Sequence, residues 1–334
     1  MLQVIHVGLG PLGRRVVADL TRRALGRVVA AVDPHPALVG RPLSEVVPGT
    51  DPRVRILSSV QEVPDGSGLR CAIVTTKSDL ALCMDTFREL LVRGFPIAST
   101  CEELVWPWLR HPVLAQELSE LSLRHGGRLL GTGINPGFLM DTLPVVASTV
   151  CHSVRSVRVE RIQDASTRRV PFQEKIGVGL DEAEFRRRIA AGTLRHVGLG
   201  ESLHFLAHQL GMRIERWDET IEPVFARERL ESALGPVLPG RARGVKQVAH
   251  ATCGGRQALE LFFLAAIGER DPHERIQIDG EPAVDLTIPG GVHGDTATSA
   301  IVLNVLRSLL AAPPGLHTMA SVALQGCAPP DGAR

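Results

Sequence analysis

The chain has 334 residues, 44% of them hydrophobic and 22% charged, enough for two ordinary domains and typical of a globular, enzyme-sized protein. Thirty-seven basic residues against 36 acidic leave a formal net charge of +1, so no overall field draws the chain to nucleic acid or anionic lipid, and no apolar run approaches the ~18 residues that span a bilayer. Tyrosine is absent and aromatics make up 4%. That excludes mechanisms with a tyrosine hydroxyl as proton donor, the Tyr/Lys pair of short-chain dehydrogenases among them, and leaves little for base stacking.

Met1-Leu2-Gln3-Val4-Ile5 lacks the basic and apolar regions of a signal peptide. Cys71, Cys83, Cys101, Cys151, Cys253 and Cys327 form neither a CxxC pair nor a Cys/His ligand pattern. They are expected to be reduced thiols of a cytoplasmic protein with no structural metal.

Residues 2–7, rich in β-branched side chains, suit a buried parallel strand. Gly8-Leu9-Gly10-Pro11-Leu12-Gly13 follows at once, and then a stretch with apolar residues at helical spacing. Gly8 permits a tight turn, Gly10 lets the backbone approach a pyrophosphate, and Gly13 allows close helix–strand packing. A second strand over 28–32 ends at Asp33, about 20 residues past the last glycine, where a carboxylate accepts hydrogen bonds from an adenosine ribose. The six-residue glycine segment and Asp33 therefore predict a dinucleotide site. Asp33 favours NAD over NADP by repelling a 2′-phosphate, although His35 and Arg41 lie close enough in sequence to offset that repulsion.

Residues 54–57 and 71–74 read as further strands, the second delivering Thr75 and Thr76 to the carboxyl edge of the sheet beside the cofactor. Ser78-Asp79-Leu80 opens a helix to Arg93, with Leu82, Phe87, Leu90 and Leu91 facing inward. Residues 95–99 form another strand and bring Thr100-Cys101-Glu102-Glu103 to the same edge. Thr100 belongs with the cofactor contacts; Glu102 and Glu103 are candidates for proton transfer or for steadying a cation. Their plainer reading is an acidic helix start capped by Thr100. Cys101 has no basic neighbour to activate it as a nucleophile. Asn135, before Pro136, is pushed toward extended geometry, which projects its amide. Asp141 caps the helix that follows. Repeated strand–helix units predict a doubly wound parallel α/β sheet.

From about residue 153 the pattern alternates with period two, the mark of strands with one wet face, and predicts a second α+β domain with an open, mostly antiparallel sheet. Arg168, Arg169 and Lys175 either bind a carboxylate or form a solvated charged face. Helices are expected over 181–190 and 200–211, strands over 244–252, 258–267, 274–278 and 283–288. Gly290-Gly291-Val292-His293-Gly294-Asp295 then opens a long apolar helix, with His293 either its cap or a site residue. Beyond Pro313 the chain reads as a loose tail.

Taken together, the glycine segment, Ser99-Thr100-Cys101-Glu102-Glu103-Leu104, Gly133-Ile134-Asn135-Pro136-Gly137-Phe138-Leu139-Met140-Asp141 and Ile288-Pro289-Gly290-Gly291-Val292-His293-Gly294-Asp295 resemble the 2,4-diaminopentanoate dehydrogenase family. That family includes native NAD(P)-dependent amine dehydrogenases and is distantly similar to dihydrodipicolinate reductase. Asp164-Ala165-Ser166-Thr167-Arg168-Arg169, Lys175-Ile176-Gly177 and His196-Val197-Gly198-Leu199-Gly200-Glu201-Ser202 extend the likeness across nearly the whole chain. The His-His-x-x-Lys-x-Asp run of the reductases is missing after Asp141, which sets their activity aside.

The resemblance implies a Rossmann dinucleotide-binding domain over 1–135 and 293–334, with a returning C-terminal helix, and a substrate-binding and dimerisation domain over 136–292. It implies hydride transfer between the nicotinamide of NAD or NADP and an amine-bearing carbon, with ammonia and a small amine or ketone as partners and a homodimer as the working form. Glu102 or Glu103 stands beside the reacting nitrogen, Asn135 positions the reacting group, and Phe138, Arg168 or Arg169, and His293 contact substrate. Two rivals are another C=N or C=O reductase on this scaffold and a dinucleotide-binding regulator without turnover.

Overall fold

Unbroken apolar runs, not alternation, build the strands of the first unit: β1 (Gln3–Val7), β2 (Arg27–Val32), β3 (Ile56–Leu57), β4 (Arg70–Val74), β5 (Pro96–Ser99) and β6 (Arg128–Gly131). They lie parallel in the order β6-β5-β4-β1-β2-β3, with Gly315–His317 paired to the outer side of β6. Such strands are mostly apolar because both faces are covered, with the buried His6 of β1 an exception. Val4 of β1 belongs to the core cluster that holds Val16, Val17 and Leu20 of the helix Pro11–Arg22 and Val302, Leu306 and Leu309 of the helix Gly294–Ala311. Its neighbour Ile5 belongs to the opposite cluster, with Phe87, Leu90 and Leu91 of the helix Met84–Val92 and Leu118 of Pro112–His125.

The computed structural model describes residues 2–66 and 68–327. By its internal contacts the chain divides into Met1–Phe138 with His293–Arg334, and Leu139–Val292. Among the described residues no helix is long and apolar enough to cross a membrane, and no group of three or more His, Cys, Asp or Glu side chains is placed to hold a metal.

Three local expectations need correction. The strand expected over 54–57 shrinks to Ile56–Leu57. The helix expected from Ser78 begins at Met84, after a 3-10 turn at Ala81–Cys83. That tighter turn changes the angular register, so Leu82 points outward at 70% exposure while Phe87, Leu90 and Leu91 are fully buried. The tail expected to be loose instead carries the seventh strand, Gly315–His317, where the His317 ring bonds the Pro313 carbonyl at 2.8 Å and the Ser321 hydroxyl at 3.1 Å. Three residues are too few to show a period. The rest of that tail, 328–334, lies outside the described residues.

The second unit is built on a six-stranded sheet in the order Val284–Pro289, His273–Glu281, Ser153–Asp164, Arg256–Ala266, Ala242–Cys253, Arg216–Phe225. All neighbours are antiparallel except Ser153–Asp164 and Arg256–Ala266. Two of its helices are capped by aspartates, Asp141 as expected and Asp181 in addition. The Asp181 side chain accepts from Glu184 N at 2.9 Å, and Asp141 accepts from Thr142 N at 2.6 Å and from the Ser202 hydroxyl at 2.7 Å.

Candidate active site

The glycine turn is dictated by lack of space. Gly8 has φ +95°, and a Cβ there would stand 2.7 Å from the Thr75 carbonyl oxygen; at Gly13 it would stand 1.9 Å from the Gly8 carbonyl oxygen. At Gly10 it would meet nothing within 4 Å, which leaves that face of the backbone open to an anion at the start of the helix. Pro11 opens this helix from the surface, and Leu12 packs half-buried against the core.

The Gly8–Leu9 peptide is held on both sides. Its carbonyl accepts from the Thr75 hydroxyl at 2.9 Å and from His6 Nε2 at 3.0 Å, and its amide donates to Asp33 Oδ2 at 2.7 Å. His6 is fully buried, and burial pushes its imidazole down to about 4, with the bond to Gly8 opposing the shift. The other oxygen of Asp33 accepts from His35 N at 2.9 Å. A groove of about 540 Å³ runs along this edge, lined by Gly8, Gly10, Asp33, Thr75, Thr76 and Lys77 among others, a size within the usual range for ligand sites. Open backbone at Gly10, a carboxylate at the end of β2 and flanking hydroxyls fit a dinucleotide. Neither His35 nor Arg41 lines the groove; the Arg41 guanidinium instead pairs with Glu45 at 3.2 Å.

β5 ends at the same edge of the sheet. Thr100, half-buried, donates its amide to the Val74 carbonyl at 3.0 Å. Glu102–Val105 then forms a 3-10 turn with Cys101 at its N-cap, not the helix capped by Thr100. Glu102 is half-buried, whereas Glu103 is 6% exposed. Oε2 of Glu103 accepts from Leu80 N at 2.9 Å and lies 2.9 Å from His111 Nε2. Cys101 is buried and its thiol donates to the Ser78 carbonyl at 3.2 Å. A hydrogen bond with Cys83 and burial keep this thiol well above its ordinary range, the bond contributing most. It is not a nucleophile in waiting.

After β6, Asn135 is 8% exposed, and neither its amide oxygen nor its amide nitrogen has a hydrogen-bond partner within the protein. Buried amides are normally satisfied, so this one is available to a ligand. Phe138 packs half-buried against the core of the same unit. His293, exposed, accepts from Thr296 N as the N-cap of the helix Gly294–Ala311.

In the second unit a buried polar cluster gathers around His196. Burial holds this imidazole well below the usual histidine range, and the nearby charges of Lys175, Arg161 and Arg168 push it the same way. Its Nδ1 has no hydrogen-bond partner within the protein. Gln247 fixes the backbone there, accepting from His196 N and donating to its carbonyl, each at 2.8 Å. Arg168, 7% exposed, donates to Gln163 Oε1 at 3.0 Å and lies over the Phe172 ring at 4.0 Å. Arg161, 1% exposed, pairs with Glu274 at 2.9 Å. Arg169 occupies the N-cap of the short helix Val170–Lys175 and is half-buried. Three cations about a neutral imidazole can seat one anionic group.

Of the arginines singled out by the sequence, Arg168 lies in this cluster, while His6, Arg161 and His196 are additions from the fold. Arg161 had a signal in the sequence: it shares parity with Val157 and Val159, which puts it on the buried face of its strand.

The C-terminal domain of 2,4-diaminopentanoate dehydrogenase matches residues 138–331. The chain is 26% identical to 2,4-diaminopentanoate dehydrogenase of Acetoanaerobium sticklandii over 95% of its own length and 92% of that protein's. It is 21% identical to an amine dehydrogenase of Streptomyces virginiae, over 97% of each chain. The structure of an amine dehydrogenase from Mycobacterium smegmatis has the same fold, with a TM-score of 0.83 and 21% identity, covering 98% of this chain and 97% of the other. A match over more than half the chain, added to a parallel sheet that carries the glycine turn and the acidic turn on one edge, places this protein in the 2,4-diaminopentanoate dehydrogenase family.

Proposed function

We propose that the chain is an NAD(P)-dependent amine dehydrogenase, an oxidoreductase acting on a CH–NH2 donor, that prefers NAD and takes a substrate bearing a carboxylate, of the kind its Acetoanaerobium relative is named for. The observation that carries this reading is one sheet edge bearing the glycine turn, Asp33 and the acidic turn at Glu102. The first unit serves as the dinucleotide-binding domain, with Gly8, Gly10, Pro11, Leu12, Gly13, Asp33, Thr75, Thr76 and Thr100 as its contacts. The second serves for substrate binding and dimerisation.

A bound nicotinamide supplies the hydride acceptor or donor. Glu102 is the carboxylate assigned to the reacting nitrogen. Loss of hydride from the amine carbon makes that nitrogen cationic, and a fixed carboxylate shielded from water favours the developing charge. The same carboxylate takes and returns protons as water adds and ammonia leaves. Asn135 orients the reacting group through its unsatisfied amide. In the first unit Phe138 and His293 are further candidate substrate contacts; in the second, Arg168, beside Arg161 and His196, is the candidate for binding a carboxylate, with Arg169 secondary.

Preference for NAD follows from charge. Among the described residues, Asp33, Asp85 and Glu89 line the groove against a single cation, Lys77, an arrangement that repels an added phosphate. The working form is a homodimer in the cytoplasm, and sedimentation at twice the chain mass checks the first part.

Incubation with NADH or NADPH, ammonia and a panel of ketones and keto acids tests the reading. Ammonia-dependent oxidation of NADH, fastest with keto acids, is expected. Oxidation that proceeds equally without ammonia indicates a C=N or C=O reductase, and binding without turnover indicates a regulator.

A further inference from the structure

The turn that carries Glu102 is held from beneath by its neighbour. Glu103 points into the protein, where a single oxygen, Oε2, receives both Leu80 N and His111 Nε2, each at 2.9 Å. Its backbone amide donates to the Ser78 carbonyl at 3.2 Å, the same oxygen that takes the Cys101 thiol. On the far side the turn rests on β6 with no side chain between: a Cβ on Gly131 would stand 2.6 Å from the Leu104 carbonyl carbon and 2.7 Å from Val105 N. The turn is therefore gripped between the backbone of β6 and the segment 78–80. The second grip passes through a carboxylate that is itself buried.

We propose that Glu103 and His111 are positioning residues, a buried pair that fixes the turn so that Glu102 stands at the carboxyl edge of the sheet. The inference rests on the reading of Glu102 as the acid beside the reacting nitrogen. It gives the two adjacent glutamates different roles, since Glu102 touches substrate and Glu103 acts only through Glu102. His111 is suited to its part because its own amide is tied to the Pro107 carbonyl at 2.8 Å and Pro112 opens the next helix directly after it. The imidazole is thus carried on a rigid joint.

Glutamine keeps an oxygen able to accept from both Leu80 N and His111 Nε2, whereas alanine has none. With 2,4-diaminopentanoate and NAD, E103A should lower kcat about 100-fold, the cost of a small misplacement of a reacting group. The dissociation constant for NAD, read by fluorescence, should stay within about threefold, since the glycine turn and Asp33 are untouched. E103Q should recover kcat to within about threefold of the parent, H111A should lose about tenfold, and E102Q should bind NAD but not turn over. E103Q as inactive as E102Q would overturn this separation of roles, because the charge of Glu103 would then matter and not its geometry. Folded E103A with full activity, beside an inactive E102Q, overturns the positioning role alone. Full activity in E102Q instead removes the assignment of Glu102. If E103A does not fold, H111A decides: kcat loss with unchanged NAD binding supports the proposal, and no loss overturns it.

Discussion

The glycine turn of the first unit and the His196 cluster of the second both present charge-binding groups, but they are made in opposite ways. The turn is a product of backbone: six consecutive residues, with little room at Gly8 and none at Gly13, clamp a peptide whose amide meets Asp33. The cluster is a product of side chains from separated segments, Arg161, Arg168, Lys175 and His196, held by Gln163, Gln247 and Glu274. Backbone sites fail by collision, and side-chain sites fail when one charge is left without its counterpart.

The largest effect is expected at the turn. Gly13→Val drives a side chain into the Gly8 carbonyl and should weaken NAD binding at least about 1000-fold by calorimetry, whereas Gly10→Ala, with open space around it, should cost about tenfold. Equal losses in the two would show that approach to the ligand, not internal collision, governs the turn.

Next comes the cluster. Burial pushes the Glu274 carboxyl up and the Arg161 guanidinium down, and each resists the other's shift. Arg161→Met leaves Glu274 buried without its ion-pair partner, a loss of about 3–5 kcal/mol in urea unfolding. Adding Glu274→Leu should return most of it. A small single-mutant effect would mean that water reaches the pair.

A third test probes the backbone-built turn through pH. His6 is neutral when folded, with its ring held down to about 4, while the unfolded chain takes up the proton below about 6.5. The unfolded state binds more protons in that window, so stability falls as the pH drops from about 6.5 to about 4 and levels off below. The share from this one ring is about 3 kcal/mol, and it should vanish in His6→Asn. The smallest effect belongs to specificity. Arg168→Leu should raise KM for a carboxylate-bearing substrate about tenfold relative to a plain amine, with NAD binding unchanged.

The same contrast explains what is legible in one dimension. The parallel sheet, the glycine turn and Asp33 follow from neighbours in the chain, so their signals survive in the sequence. The strand parity that buries Arg161 is also present, but a charged side chain near Arg155 and Arg158 reads as wet until the sheet face is known. That Lys175, Arg168 and His196 lie close together depends on how segments far apart in the chain pack. The two glutamates at 102 and 103 are indistinguishable by spacing because a 3-10 turn, unlike a helix or strand, has no fixed inner face at two residues' length. Leu82 is misplaced by its spacing for the same reason, one turn earlier.

The short strand Gly315–His317 has a practical consequence. It covers the hydrogen-bonding edge of β6, and the Arg128 side chain reaches over to the Ala312 carbonyl to hold the crossing. A chain cut after the helix Gly294–Ala311 would leave β6 as a bare edge, open to pairing with other copies. Fusion tags are therefore best joined beyond Ser321, and truncations that look harmless because they spare every proposed ligand contact should be the ones that precipitate.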